Sequence, residues 1–205
     1  RSYESDSLAM ATAVGSKNWN NPDEYTLMLR SLLQNETFKN KFVSRFADLL
    51  NTRYSTKTVL EKLDSFQAMY TPYVEEHIKR WNLHKGKIEN WLAQVDIIRN
   101  YAIHRPDYMR QHICKYFNLE TVELYLTVGE GGKVKVNTIE LKPNNKPWYG
   151  VYFKGIPVKL EAIPQNGYEF VGWKGTIESE NISLTENLTT TTSLHAVFKK
   201  ADKSS

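Results

Sequence analysis

The sequence contains one cysteine, Cys114, in its 205 residues. An intrachain disulfide is therefore excluded, and so is a Cys-x-x-Cys metal or redox motif. Set in an apolar helical stretch, Cys114 reads as a buried, inert thiol. No hydrophobic run approaches the ~18 residues of a membrane span. Arginine is missing after Arg110, and the C-terminal region has no net charge. Up to Asn118 there are 17 basic and 13 acidic residues; from Leu119 on there are 10 of each. A surplus of four, interleaved along helices, describes a solvated surface and not a nucleic-acid footprint. The chain also opens on Arg1 without an initiator methionine or signal peptide, which reads as a processed protein or an excised fragment, the fragment being the favoured reading.

Catalytic motifs are equally sparse. His-Glu-x-x-His does not occur, and His77, His84, His104, His112 and His195 are scattered, so a zinc site has no support. Without Gly-x-Ser-x-Gly, and with no evident base for Cys114, a hydrolytic triad is unsupported. Phosphoryl transfer needs a phosphate cradle, a lysine and magnesium-binding carboxylates. The run Val128 to Val136, "VGEGGKVKV", is rich in glycine but lacks the Gly-Lys-Ser/Thr ending and opens a strand, so it reads as a hairpin turn. Asp23-Glu24 and Glu75-Glu76 are paired carboxylates placed in helix first turns, where the helix dipole explains them. Arg99, Arg105 and Arg110 make the most basic helical stretch; anion binding is one role open to it, and the commoner one for such arginines is to satisfy carbonyls or pair with acids.

What is present is a folded composition, 40% apolar and 12% aromatic, arranged in two periods. The first residues, to Asn21, read as a surface loop anchored by Leu8, Met10 and Trp19. Helical spacing then governs the chain to Phe117. Asn21-Pro22 suits a cap with proline at the first helical position. Phe38, Phe42, Phe46, Leu49 and Leu50 form the apolar face of a second helix, and Ser55 caps a third. Thr71-Pro72 predicts a separate fourth helix, ending near Trp81. After a loop, "NLHKGK", a fifth helix carries Ile88, Trp91, Leu92, Val95, Ile98 and Ala102, and Pro106 predicts a kink or restart.

From Leu119 the period becomes two. "TVELYLTV", "GGKVKVNTIEL", "WYGVYF", "IPVKLEAIP", "GYEFVGW", "NISLTENL" and "SLHAVFKK" read as short strands separated by turn residues. The fold class is α+β: an all-α unit over 1–119, then an all-β sandwich or open barrel over 120–200, with 201–205 a disordered tail. Within the β unit, Trp148, Tyr149 and Tyr152 are the candidate ligand-binding residues, since flat rings stack on sugars as they do on bases. In "GYEFVGWKG", Phe170 and Trp173 are expected to be structural. Strand alternation puts Tyr168 and Phe170 on one face, with Val171 and Trp173 on the other.

Three helical elements carry a resemblance: Leu32 to Leu50, "LLQNETFKNKFVSRFADLL"; Pro72 to Trp81, "PYVEEHIKRW"; and Arg99 to Pro106, "RNYAIHRP". Over roughly residues 8 to 119 the chain resembles the C-terminal helical part of the spore-coat protein H (CotH) family. The resemblance implies an atypical, kinase-like fold and a bacterial surface, secreted or spore-coat setting. ATP and magnesium are implied only for a full-length member, whose nucleotide-site lysine and acidic residues lie upstream of this helical region. No residue here matches them, so the expectation is no catalytic residue, no cofactor and no metal in this chain. Roughly Ile156 to Lys199, "IPVKLEAIPQNGYEFVGWKG" through "LHAVF", is similar to divergent internalin-B-type surface repeats, which implies a spacer or adhesion module. The expected function is non-catalytic support with an appended interaction module. The alternative is a module that binds glycan or cell-wall polymer through exposed aromatics. The expected partner is accordingly a protein or a cell-surface polysaccharide, with no nucleic acid and no membrane span.

Overall fold

The computed structural model describes residues 2–15, 21–82 and 87–201. Trp19 and His84, most of the 82–87 loop and the tail from 202 lie outside the described residues. Helices occupy the chain to Phe117: α1 Ser7–Ala11, α2 Asp23–Leu33, α3 Glu36–Asn51, α4 Thr56–Trp81 and α5 Ile88–Phe117. Strands follow: β1 Thr121–Val128, β2 Gly132–Val136, β3 Ile139–Leu141, β4 Trp148–Phe153, β5 Val158–Pro164, β6 Tyr168–Gly175, β7 Ser183–Glu186 and β8 Thr192–Lys200. The fold is α+β. Its β part is two four-stranded sheets, ordered β4-β1-β8-β6 and β3-β2-β5-β7, and not a closed barrel.

Local chemistry sets most helix ends. Asn35 Oδ1 accepts from the Phe38 amide at 3.0 Å and starts α3, and the Ser55 hydroxyl does the same for α4 through Thr58. Asn82 and Asn118 end α4 and α5 in the left-handed conformation that asparagine tolerates. The predicted loop before Asn21 contains the short α1, capped by Asp6. At α2 the cap position is Pro22, not Asn21, whose side chain instead donates to the Met10 carbonyl.

Two prolines expected to divide helices do not. Thr71-Pro72 does not start a new helix: α4 runs through it for 26 residues. Pro72 is exposed, so the carbonyl it leaves without a helical partner faces water, and Thr71 donates back to Gln67 O at 2.6 Å. Glu75 and Glu76 consequently lie in mid-helix and not in a first turn. Pro106 is buried inside the 30-residue α5, which does not restart there. Its ring removes the amide that would bond Ala102 O, the carbonyl four residues back. Thr56 Oγ1, from the first turn of α4, donates to that oxygen at 3.2 Å. A neighbouring helix thus repairs the gap.

The buried stripe of α3 is Val43, Ala47, Asp48 and Leu50. Phe42 and Phe46, expected at the centre of that face, flank it half-buried. In the β part, alternation works best in β1, where Val122, Leu124, Leu126 and Val128 all point inward. Between the strands the chain crosses repeatedly from sheet to sheet. "GGKVKVNTIEL" is not one strand but the β2–β3 hairpin, turned at Asn137 with φ 48°. The glycines before β2 form no hairpin turn; they link β1 to the opposite sheet.

"GYEFVGWKG" is the edge strand β6, laddered with β8 and bridged through Trp173 to Ser179. A bulge between Phe170 and Gly172 shifts the alternation. Trp173 thereby joins Phe170 on the inner side, their rings 5.3 Å apart, and Val171 is left exposed. The bulge depends on Gly172, since a Cβ there would lie 3.0 Å from Ser179 O. Trp173 is fully buried, with Nε1 donating to Asn181 O at 2.9 Å.

Candidate functional site

The helical and β parts share one core. Leu8, Val43, Ala47, Leu50, Met109 and Ile113 belong to the same apolar cluster as the interior of both sheets. At its centre is a polar joint. Asp48, 1% exposed on α3, accepts from Thr138 Oγ1 at 2.6 Å, the Thr138 amide at 3.0 Å, Asn137 Nδ2 at 3.2 Å and Tyr152 Oη at 3.4 Å. A buried carboxylate is tolerated only when its lone pairs are occupied in this way. One turn on, Asn51 accepts from the Val151 amide at 3.0 Å and donates to the Val151 carbonyl at 2.9 Å. Its amide group thus stands in for a neighbouring strand and covers the open edge of β4.

The joint separates the three predicted ligand-binding aromatics. Tyr152 is 2% exposed and points into it. Burial, then the Asp48 carboxylate, pushes its phenol well above the usual tyrosine range. Trp148 is half-buried against the core, packed over Gly150, where a Cβ would meet its ring at 2.4 Å. Tyr149 alone faces out, at 47%. The expected flat patch of three rings does not form, because adjacent strand residues alternate faces and the even-numbered pair is taken by the core.

Tyr149 instead joins a different group. Its ring packs 5.2 Å from Tyr125, and the two hydroxyls donate to opposite oxygens of Glu123, at 3.1 and 3.2 Å. Burial and this carboxylate raise the Tyr149 phenol, so it stays a donor. Opposite stands the last third of α5, with Asp107, Arg110 and Gln111. Between the two walls lies a cleft of about 330 Å³, which Thr121 also lines. Arg110 is anchored from behind by Asn51 Oδ1 at 3.2 Å and flanked by Asp107 at 3.3 Å. Its Nε is buried with no hydrogen-bond partner among the described residues. Burial lowers its guanidinium from the ordinary value, against the opposing pull of Asp107. Cys114 also borders the cleft, and burial raises its thiol. The sequence marks Tyr149 as a candidate but not Glu123, Arg110 or Gln111 as its companions, because the β1–β4 register that joins Glu123 to Tyr149 carries no local signature.

The remaining candidates disperse. His77, His104 and His195 are exposed on different elements, and His112 lies 3.9 Å from Asp6. Among the described residues no three His, Cys, Asp or Glu side chains come together as a metal site. Arg105 satisfies carbonyls as expected, donating to Tyr3 O and Ser5 O, each at 2.7 Å, and so straps the N-terminal segment to α5. Arg99 pairs with Asp64 at 2.7 Å and ties α5 to α4. No helix among the described residues is long and apolar enough to cross a membrane.

Fold and joint together define a helical domain that carries a two-sheet β module on its C-terminal side. Each part matches a family model. The family model for the CotH kinase protein matches residues 2–109, just over half of the chain, and the protein belongs to that family. The model for the divergent InlB B-repeat domain matches residues 123–202. No curated protein and no solved structure matches the chain.

Proposed function

We propose that the chain is the C-terminal helical portion of a surface-associated CotH-like protein, and that its β module is an interaction element held in fixed orientation. In this reading residues 1–119 are the helical domain and 120–200 the module. The setting is the exterior of a bacterium, secreted, on the cell surface or in a spore coat. The chain by itself transfers no phosphate; ATP and magnesium belong to the full-length member.

One observation carries this reading: the joint. A tether would need no buried contacts, yet Asp48 and Asn51 are fully engaged in holding β2–β3 and β4. Asp48 is also the one acidic side chain buried among the described residues, and it serves structure. The paired carboxylates do not converge: Glu24, Glu75 and Glu76 are exposed along α2 and α4, and Asp23 pairs with Arg30. Positioning and charge neutralisation at a transferring phosphoryl group require converging carboxylates and a lysine. The two family matches, side by side in one chain, supply the surface context.

Calorimetric titration with ATP and magnesium tests the non-catalytic part. The expected result is no heat of binding with this chain and measurable binding when it is extended upstream. Saturable ATP–magnesium binding to the 205-residue chain would sink the proposal.

A further inference from the structure

The cleft between α5 and the β1–β4 face is not accounted for by support of a kinase-like domain. We propose that it binds a neutral polysaccharide, seating one sugar ring against Tyr149. The proposal deepens the surface-module reading and rests on it only for where such a polymer would be met; the absence or presence of phosphate transfer does not bear on it.

Three features select the ligand class. The first is a solvent-facing ring that is rigid. Tyr149 is 47% exposed, yet its hydroxyl is fixed on Glu123 and its ring leans on Tyr125. A ring held on one side presents a flat apolar face on the other at little entropic cost. The C–H face of a pyranose matches such a surface.

The second is the mixture of polar groups around it. Asp107 and Glu123 accept, Arg110 and Gln111 donate, and the Thr121 hydroxyl does both. A sugar hydroxyl also donates and accepts at once, so each group on the walls finds a partner. Glu123 and Arg110 already have protein partners, but a purely apolar ligand would strip water from the exposed Asp107, Gln111 and Thr121 without replacing it, which is costly.

The third is charge. Two carboxylates against one guanidinium leave the cleft with a net negative lining, and Asp107 already flanks Arg110. A phosphate-rich or uronate-rich polymer would be repelled there. Size agrees as well: about 330 Å³ is at the low end of the roughly 300–1,000 Å³ of ligand pockets. That suits a single ring of a chain that runs on into solvent.

Affinity electrophoresis of the full chain tests this, through native gels containing cellulose derivatives, soluble chitin, xylan or amylose, with polygalacturonate as the anionic comparison. At least one neutral polymer is expected to retard the protein. Tyr149→Ala should weaken that retardation at least about tenfold, and Gln111→Ala, which alters only an exposed side chain, about threefold or more. Tyr149→Phe keeps the ring and should stay within about threefold of the parent. Tyr73→Ala removes an exposed ring elsewhere and should change nothing. Melting temperatures of all four variants separate lost binding from lost fold. The proposal fails if no neutral polymer retards the chain, or if Tyr149→Ala and Tyr73→Ala behave alike. It also fails if polygalacturonate retards the protein in a way that Tyr149→Ala abolishes. Because ATP is absent throughout, failure here leaves the phosphate-transfer proposal untouched.

Discussion

The two halves of the molecule bury their apolar residues in opposite ways. In the β part, Leu124, Leu126, Val134, Val136, Leu160 and Trp173 have no exposed surface. In the α4–α5 hairpin, Phe66, Met69, Tyr70, Tyr73, Ile97 and Ile98 are each more than half exposed. Two packed sheets enclose a core from both sides, whereas two antiparallel helices can only share one seam. The helical part obtains an enclosed core only where α3 and the end of α5 lean on the sheets. The lesson is that stability is concentrated at the β core and the joint, and falls away along the hairpin. Three substitutions test that gradient, beginning where the effect should be greatest.

Trp173→Ala removes the largest fully buried side chain. A buried Trp truncation costs about 3–5 kcal/mol, and here the Asn181 carbonyl also loses its indole donor. Phe170, only half-buried against Trp173 and Phe198, should cost visibly less when cut to alanine. Chemical denaturation of the two variants checks the order. Equal losses would mean that the bulge does not bring both rings to one face as described.

Asp48→Ala should come next, at about 3 kcal/mol. It strands donors from Thr138, Asn137 and Tyr152 in the interior, and an unsatisfied buried group costs about 1–3 kcal/mol, with rearrangement offsetting part of the sum. The more telling readout is cooperativity. A shared core predicts one thermal transition for the parent protein. With the joint weakened, the helical signal at 222 nm should melt before near-ultraviolet signals of the β core. Coincident transitions in Asp48→Ala would show that apolar contact alone couples the halves.

Asp48 also shows where sequence reasoning stops. It sits within the helix that the apolar spacing of Phe38, Phe42, Phe46, Leu49 and Leu50 predicts. Nothing local marks it as buried, because its partners lie about 90 and 104 residues away. The same limit governs the cleft. Tyr149 was legible as an aromatic in a strand, but its outward face followed only from the pairing of β4 with β1 and from Gly150 making room for Trp148. Some local signals matched the structure, such as the period change at Leu119, the Ser55 cap and the alternation of β1, while others did not: Asn21 is not the cap of α2, and neither Pro72 nor Pro106 ends a helix. Where two distant segments had to meet, as at the β6 bulge and the sheet-to-sheet crossings, periodicity alone misassigned faces and hairpins.

The smallest effect tests the repair of α5. Thr56→Val is nearly isosteric but removes the hydroxyl that serves Ala102 O, the carbonyl left open by Pro106. That oxygen belongs to a buried residue, so water is a poor substitute, and the loss should be about 1 kcal/mol. For a chain of this length that corresponds to a melting shift of roughly 2–4 °C. Tyr73→Ser on the same hairpin provides the reference, because the ring is 68% exposed and such surface changes stay within about 0.5 kcal/mol. Replacing Pro106 by alanine restores the missing amide and makes the Thr56 hydroxyl redundant. In that background Thr56→Val should cost almost nothing, so the two substitutions are non-additive by nearly the full single-mutant effect. Simple additivity would mean that Thr56 acts through the Ser55–Thr58 cap at the start of α4 and not through the proline gap.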